Sequence, residues 1–210
     1  MNRKLILACG LSVTGKSHWC RVIMKIFKAD QPQFFDIDEV RERTWGERAR
    51  SLTREEHLFK NQLTRQEVQR AFVLGAKMVV LNMVMPTKEH HQKPFIAMIQ
   101  ETEGILSRIK KENEQPTDPS GEAEVKIDIR AIWFDCNETC AAQRLRQRQI
   151  CPSSSQSDLV QIEDWRKNRN WFEPPDGEFY SFIRIDTSNE SLEADEERFK
   201  LIYNFVNVNF

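Results

Sequence analysis

The chain predicts an α/β fold, a three-layer sandwich of about five mostly parallel strands with helices on both faces and a small helical lid. Two observations carry this expectation. Short apolar runs alternate with stretches of helical periodicity along the 210 residues, the pattern of a parallel sheet reached by right-handed crossovers. The first apolar run, Leu5-Ile6-Leu7-Ala8-Cys9, feeds directly into Gly10-Leu11-Ser12-Val13-Thr14-Gly15-Lys16-Ser17, a glycine turn that opens a helix.

Each element has its own signal. Trp19, Val22, Ile23, Ile26 and Phe27 recur at helical spacing between Lys16 and about Lys28. Pro32 to Asp36 is short and aromatic and reads as a second strand ending in Asp36-Ile37-Asp38. Glu55 to Gly75 is a long, charged helix with Leu58, Leu63, Val68 and Phe72 at helical spacing, closed by its glycine. Lys77 to Met85 is a third strand stopped by Pro86, and Lys88 to about Glu112 is helical again. Gln115 to Glu124, with two prolines and a glycine among charges, is a surface connection. Val125 to Phe134 is a fourth strand and Glu138 to Gln149 a helix bearing Arg144, Arg146 and Arg148. A serine-rich loop (Cys151 to Asp158), a short helix (Leu159 to Asn168), a fifth strand (Phe179 to Ile185) and a closing helix (Leu192 to Val206) complete the chain. Residues 1–210 are expected to form one domain, with a lid or hinge region around 140–175 and a flexible loop around 113–124.

Composition narrows the function classes. With 31 Lys and Arg against 32 Asp and Glu there is no overall field toward nucleic acid or anionic membrane, so any such contact must be local. Five irregularly spaced cysteines argue for free thiols in a reducing compartment. No segment reaches the ~18 apolar residues of a membrane span, and the expected location is the cytoplasm with no membrane partner.

The glycine turn has the form of a phosphate-binding P-loop, and each residue type in it answers a need. Gly10 and Gly15 let the backbone N–H groups of Ser12, Val13, Thr14 and their neighbours close around phosphates. Lys16 reaches the terminal phosphates and the Ser17 hydroxyl is suited to ligating magnesium. A nucleoside triphosphate is the implied ligand. Phosphoryl transfer also needs a carboxylate at the acceptor hydroxyl and cations over the migrating group. Asp36 suits a water-mediated hold on Mg2+, and Asp38 suits taking the acceptor's proton, with helix N-capping as its alternative role. Arg41, one helical turn on, can orient Asp38 or grip an anionic substrate. Arg144 and Arg148, at i and i+4, project from one helix face as candidate phosphate contacts. Trp165, Arg166, Arg169, Trp171 and Phe172 interleave aromatic and basic residues, a mixture that suits a packed lid hinge or a base-stacking surface. His18 and His57 receive no role.

These residues resemble the P-loop kinases of the polynucleotide-kinase-like "predicted kinase" family, an AAA-type ATP-binding group. The resemblance rests on GLSVTGKS, on the D-x-x-R of Asp38-Glu39-Val40-Arg41, on AAQRLRQRQ and on FEPPDGEFYSFIRIDTS. It implies the P-loop NTPase form of the sandwich, with ATP as donor, Asp38 as base, Arg41 on an acceptor phosphate, and Arg144 and Arg148 on the donor. FFDIDE is also similar to the D-x-D segment of shikimate and gluconate kinases, which implies Asp36 for magnesium and Asp38 for substrate. In many such relatives the third strand ends in an acidic residue. Here it carries Asn82, which can hydrogen-bond substrate or water.

The expected activity is therefore an ATP-dependent kinase transferring the γ-phosphoryl group to a hydroxyl, either a polynucleotide 5′ end or a small molecule. The alternative from another class is a nucleotide-binding regulatory module or slow ATPase without an acceptor, which Asn82 keeps open.

Overall fold

Alternation within the first strand decides the layering. In β1 (Arg3–Cys9), Leu5, Leu7 and Cys9 face one side and Ile6 and Ala8 the other, and all five are fully buried. A strand buried on both faces belongs in the middle of a parallel sheet. The computed structural model, which describes residues 3–84, 91–113, 124–150, 162–175, 177 and 180–208, places β1 there. The other strands are β2 (Gln33–Asp36), β3 (Met78–Met83), β4 (Ile127–Asp135) and β5 (Ser181–Asp186). Their order is β2-β3-β1-β4-β5 and every pairing is parallel.

Among the described residues the α-helices are α1 (Lys16–Ile26), α2 (Ile37–Trp45), α3 (Arg54–Val73), α4 (Lys93–Asn113), α5 (Glu138–Ile150), α6 (Ile162–Trp171) and α7 (Leu192–Asn207). α3 and α4 pack Val68, Phe72, Phe95 and Ile99 on the Leu5–Leu7–Cys9 face. On the other face, α1 and α7 bring Trp19, Ile23, Ile202 and Val206. Burying one such side chain contributes about 1.5–3 kcal/mol. A third, smaller cluster joins Leu11 and Val13 to Cys136, Cys140, Leu145 and Trp165, beneath the glycine turn.

The chain leaves β1 toward α1 on one face and β3 toward α4 on the other. Connections that diverge in this way open a crevice at the strands' carboxyl ends, where open α/β sheets bind their ligands.

Local signals explain most boundaries. α3 starts at Arg54 because Thr53 and Glu56 form a reciprocal capping box. α7 starts on Ser191, whose side chain accepts from the Ala194 amide. The fourth strand begins at Ile127 and not at Val125, whose amide donates to the Ser107 hydroxyl instead of entering the ladder. α2 had no separate expectation, and with only Ile37 and Val40 buried its apolar pattern is too short to announce a helix. Its cap is Asp36, which accepts from the Asp38 amide at 2.8 Å, so the capping role considered for Asp38 falls two residues earlier. Residues 114–123 of the expected loop around 113–124, the serine-rich loop at 151–158 and Pro86 lie outside the described residues. Among the described residues no helix is long and apolar enough to cross a membrane.

Candidate functional site

The turn after β1 can be made only with glycine at its base. Gly10 has φ +143°, and a Cβ there would lie 2.2 Å from the Phe134 carbonyl oxygen, at the end of β4. Gly15 has φ +83° and forms the N-cap of α1 without any side chain capping the helix. The first-turn amides of α1 are thus left to an anion, with no acidic residue in that turn to compete for them.

The carbonyls of the same loop are turned away and held. Ser12 O accepts from the Trp165 indole at 3.2 Å and Val13 O from Arg144 Nη1 at 2.9 Å. The Thr187 hydroxyl shares its one proton between Thr14 O, at 3.0 Å, and Asp135 O, at 3.1 Å. With these three carbonyls held by residues outside the loop, its amides are left to an anion, the arrangement of an anion nest.

Lys16 crosses the loop and donates to Leu11 O at 2.5 Å, beside the Thr14 hydroxyl at 2.9 Å from the same oxygen. Burial pulls its ammonium below the ordinary lysine pKa, with Asp38 and Asp36 among the groups acting the other way. The cation is therefore enclosed, and negative charge next to it is favoured.

At the sheet edge, β2 and β3 set Asp36 and Asn82 directly opposite each other. Asn82 Nδ2 donates to Asp36 Oδ2 at 2.6 Å and to Ser17 Oγ at 3.2 Å, while its buried Oδ1 meets no partner. Burial pushes the Asp36 carboxyl above its ordinary range, opposed by the hydrogen bonds from the Asp38 amide and from Asn82. One carboxylate, one hydroxyl and one unmatched amide oxygen form a hard-oxygen set that fits magnesium completed by phosphate and water. Among the described residues there is no cluster of three or more His, Cys, Asp or Glu suited to a metal.

Across from the loop, Asp38 is half-exposed and pairs with Arg41 at 3.3 Å. Arg41 is largely buried, and its Nε has no hydrogen-bond partner. Two titratable residues of α3 that the sequence did not flag lie near this pair. The Lys60 ammonium is lowered by burial and by Arg41 and raised by Asp38, and His57 is lowered by burial, Lys60 and Arg41. Both sit on a charged helix with no motif, so only the packing reveals them.

A cavity of about 450 Å³ gathers most of the expected residues. Ser12, Val13, Gly15, Lys16 and Ser17 form one wall and Asp36, Asp38 and Asn82 another. Arg144 and Arg148 close it from α5, and His18, assigned no role from sequence, also lines it. Gly10 and Thr14 lie behind this surface, and Arg41 borders it through its pair with Asp38.

Two further groups of expected residues take their places in the structure. Arg144 was expected over the phosphates, yet its guanidinium bonds Val13 O, the Thr187 hydroxyl and carbonyl, and Glu190. Within the Trp165–Phe172 stretch Trp165 is buried and Phe172 stacks on Trp133 at 5.6 Å, Arg166 pairs with Glu138 and Arg169 donates to Cys136 O, as in a packed hinge, while Trp171 stays exposed. That Trp165 and Thr187 hold the loop was not readable from the sequence, because neither the aromatic and basic stretch around Trp165 nor the run that contains Thr187 signals a contact with Ser12 or Thr14.

The profile of a family described as AAA domain matches residues 5–175. No protein of curated function matches the chain in sequence. Among solved structures, a proposed kinase from Chloroflexus aurantiacus is similar at 10% identity, covering 98% of this chain and 99% of the other, with a TM-score of 0.65. A sugar kinase from Janibacter sp. HTCC2649 has 10% identity, coverages of 98% and 95% and a TM-score of 0.59. Shikimate kinase from Acinetobacter baumannii, in complex with shikimate, has 12% identity, coverages of 97% and 93% and a TM-score of 0.56. At such identities the likeness is one of fold.

Proposed function

The chain belongs to the AAA domain family, and from that premise we propose that it is a kinase that binds ATP and transfers the γ-phosphoryl group to a hydroxyl held beside Asp38. The observation that carries this reading is that one cavity has the phosphate-accepting loop on one wall and Asp38 on the other. In a nucleotide module without an acceptor the half-exposed Asp38 would serve only its pair with Arg41.

In this reading the amides from Ser12 to Ser17 bind the polyphosphate, and Lys16 leaves Leu11 O to pair with its terminal oxygens. Ser17 and Asp36 hold magnesium, with the Asn82 oxygen accepting from a bound water. Magnesium, when bound, neutralises charge on the phosphates. Asp38 orients the acceptor hydroxyl and takes its proton, and Arg41, with its unmatched Nε, holds an anionic part of the acceptor. Arg148 lies over the migrating phosphoryl group.

The acceptor we favour is a small molecule. Arg166 and Arg169, which would be needed along a nucleic-acid strand, are engaged with Glu138 and with Cys136 O and Asp135. The chain is read as one domain in which α5 and α6 form the lid.

The test is transfer of labelled γ-phosphate to a panel of polyols, hydroxy acids and 5′-hydroxyl oligonucleotides, by the native chain and by Asp38→Asn. Transfer to a small acceptor that falls about 10²–10⁴-fold in the variant, with ATP affinity preserved, is the expected result. Tight ATP binding with transfer to nothing would replace the kinase by a regulatory module, and full transfer by Asp38→Asn would remove the base.

A further inference from the structure

A phosphate nest has two sets of polar groups, and its amides can converge only while its carbonyls stay outside. Here consecutive carbonyls are held outside by residues from the far half of the chain: Ser12 O by Trp165 of α6, and Val13 O by Arg144 of α5. Val13 has φ +60°, a left-handed conformation that a β-branched residue adopts only when its surroundings impose it. The Arg144 bond to its carbonyl is such an imposition.

The anchoring runs in both directions. Trp165, 1% exposed, is the one buried residue of α6, so the docking of that helix depends on the same indole that reaches the loop. Arg169 covers the indole at 5.0 Å and donates to Cys136 O, fixing the ring from its outer side.

We propose that Trp165 and Arg144 are positioning residues for polyphosphate, which set the loop's amides inward through Ser12 and Val13, so that docking of α6 and filling of the loop favour each other. This rests on the nucleotide reading above and adds a coupling to it. Neither side chain touches the phosphate; each acts through a backbone carbonyl. By linkage, whatever affinity α6 docking gives the loop, a filled loop returns to α6.

Two measurements test this, both on the full chain. Calorimetry with inorganic tripolyphosphate and with ATP compares the native protein with Trp165→Phe, which keeps an aromatic ring and removes the N–H donor. Both ligands should weaken by the same factor of about ten, because the change acts on the loop and not on a base or sugar. In steady state KM for ATP should rise while kcat at saturation is kept. Hydrogen exchange of the α6 amides in the native protein should slow when tripolyphosphate is added.

If Trp165→Phe binds tripolyphosphate as the native chain does, or if α6 exchanges at one rate with the loop empty and filled, the coupling is overturned and the nucleotide reading stands. If the native chain binds neither ligand, both fall. Should Trp165→Phe fail to fold, the exchange experiment on the native chain decides alone.

Discussion

Asn82 Nδ2 lies 2.6 Å from Asp36 Oδ2, across a strand pairing that puts the two residues in direct register. A neutral amide therefore occupies the position beside Asp36 where a second carboxylate would meet it face to face. The same amide reaches Ser17, so one side chain ties the strand edge to the start of α1.

Replacing Asn82 by Asp turns that attraction into repulsion. Both carboxyls would have raised pKa values in the folded chain, so the folded state would hold more protons than the unfolded one. Stability then falls as pH rises from the ordinary carboxylate range through the raised values. Asn82→Asp should lose about 1–3 kcal/mol at pH 8 and recover most of it at pH 5 or on adding Mg2+. Thermal melts at the two pH values, with and without the cation, check this; a variant that melts like the native chain at pH 8 contradicts it.

Gly10 and Gly46 separate strain from collision. Both have positive φ, but a Cβ on Gly10 meets Phe134 O at 2.2 Å, while a Cβ on Gly46 has nothing within 4 Å. Gly46→Ala should cost about 1 kcal/mol from its backbone conformation alone. Gly10→Ala must also push the ends of β1 and β4 apart and should cost about 2–4 kcal/mol. Urea unfolding of the two variants measures the difference, and equal losses would mean that β4 yields without penalty.

The sheet, the loop and the strand-end carboxylates were legible in the sequence because their signals are local. The Leu5–Cys9 run, the two glycines at fixed spacing and the aspartates at a strand end each occupy a few adjacent residues. What holds the loop was not legible. Trp165 and Thr187 reach Ser12 and Thr14 across more than 150 residues of chain, and no periodicity encodes such a contact. Arg144 was found as a cation in the right place, but its partners could be assigned only once β5 and α7 had brought Thr187 and Glu190 beside it. α2 escaped notice for another reason, since nine residues with two buried positions give too little pattern.

Lys16 serves binding at the expense of the empty fold. Burial lowers its pKa below 10.5, so in the window between the lowered value and 10.5 the folded chain holds fewer protons than the unfolded one. The ligand-free protein should therefore gain stability as pH rises through that window. Lys16→Met removes the buried cation while Thr14 continues to satisfy Leu11 O. The variant should be about 1–2 kcal/mol more stable at pH 7 without ligand, lose that advantage toward pH 10, and fall at least about 100-fold in phosphoryl transfer. Melting curves across that pH range, paired with a transfer assay, test both halves. A less stable Lys16→Met would show that the ammonium supports the empty loop.

Arg144 and Arg148 share one helix face and one cavity, and the contacts of Arg144 mark it for work of its own. The donors of Arg144 are directed at Val13, Thr187 and Glu190, contacts that fix the loop before any phosphate arrives. Arg148 lies one turn further along α5 in the cavity wall, where a guanidinium can follow charge as it develops on a phosphoryl group in flight. Substituting Arg148 by Gln should lower kcat about 100-fold and leave ATP affinity within about threefold, because an interaction made mainly in the transition state does not register in ground-state binding. Arg144→Gln should instead weaken ATP and lower the melting temperature together, since it releases Val13 O on the buried side of the loop. Binding and turnover measured on both variants separate the roles. If Arg148→Gln turns over normally while Arg144→Gln binds ATP fully and loses only kcat, the phosphate contact belongs to Arg144, and its bonds to Val13 and Thr187 must break when nucleotide enters.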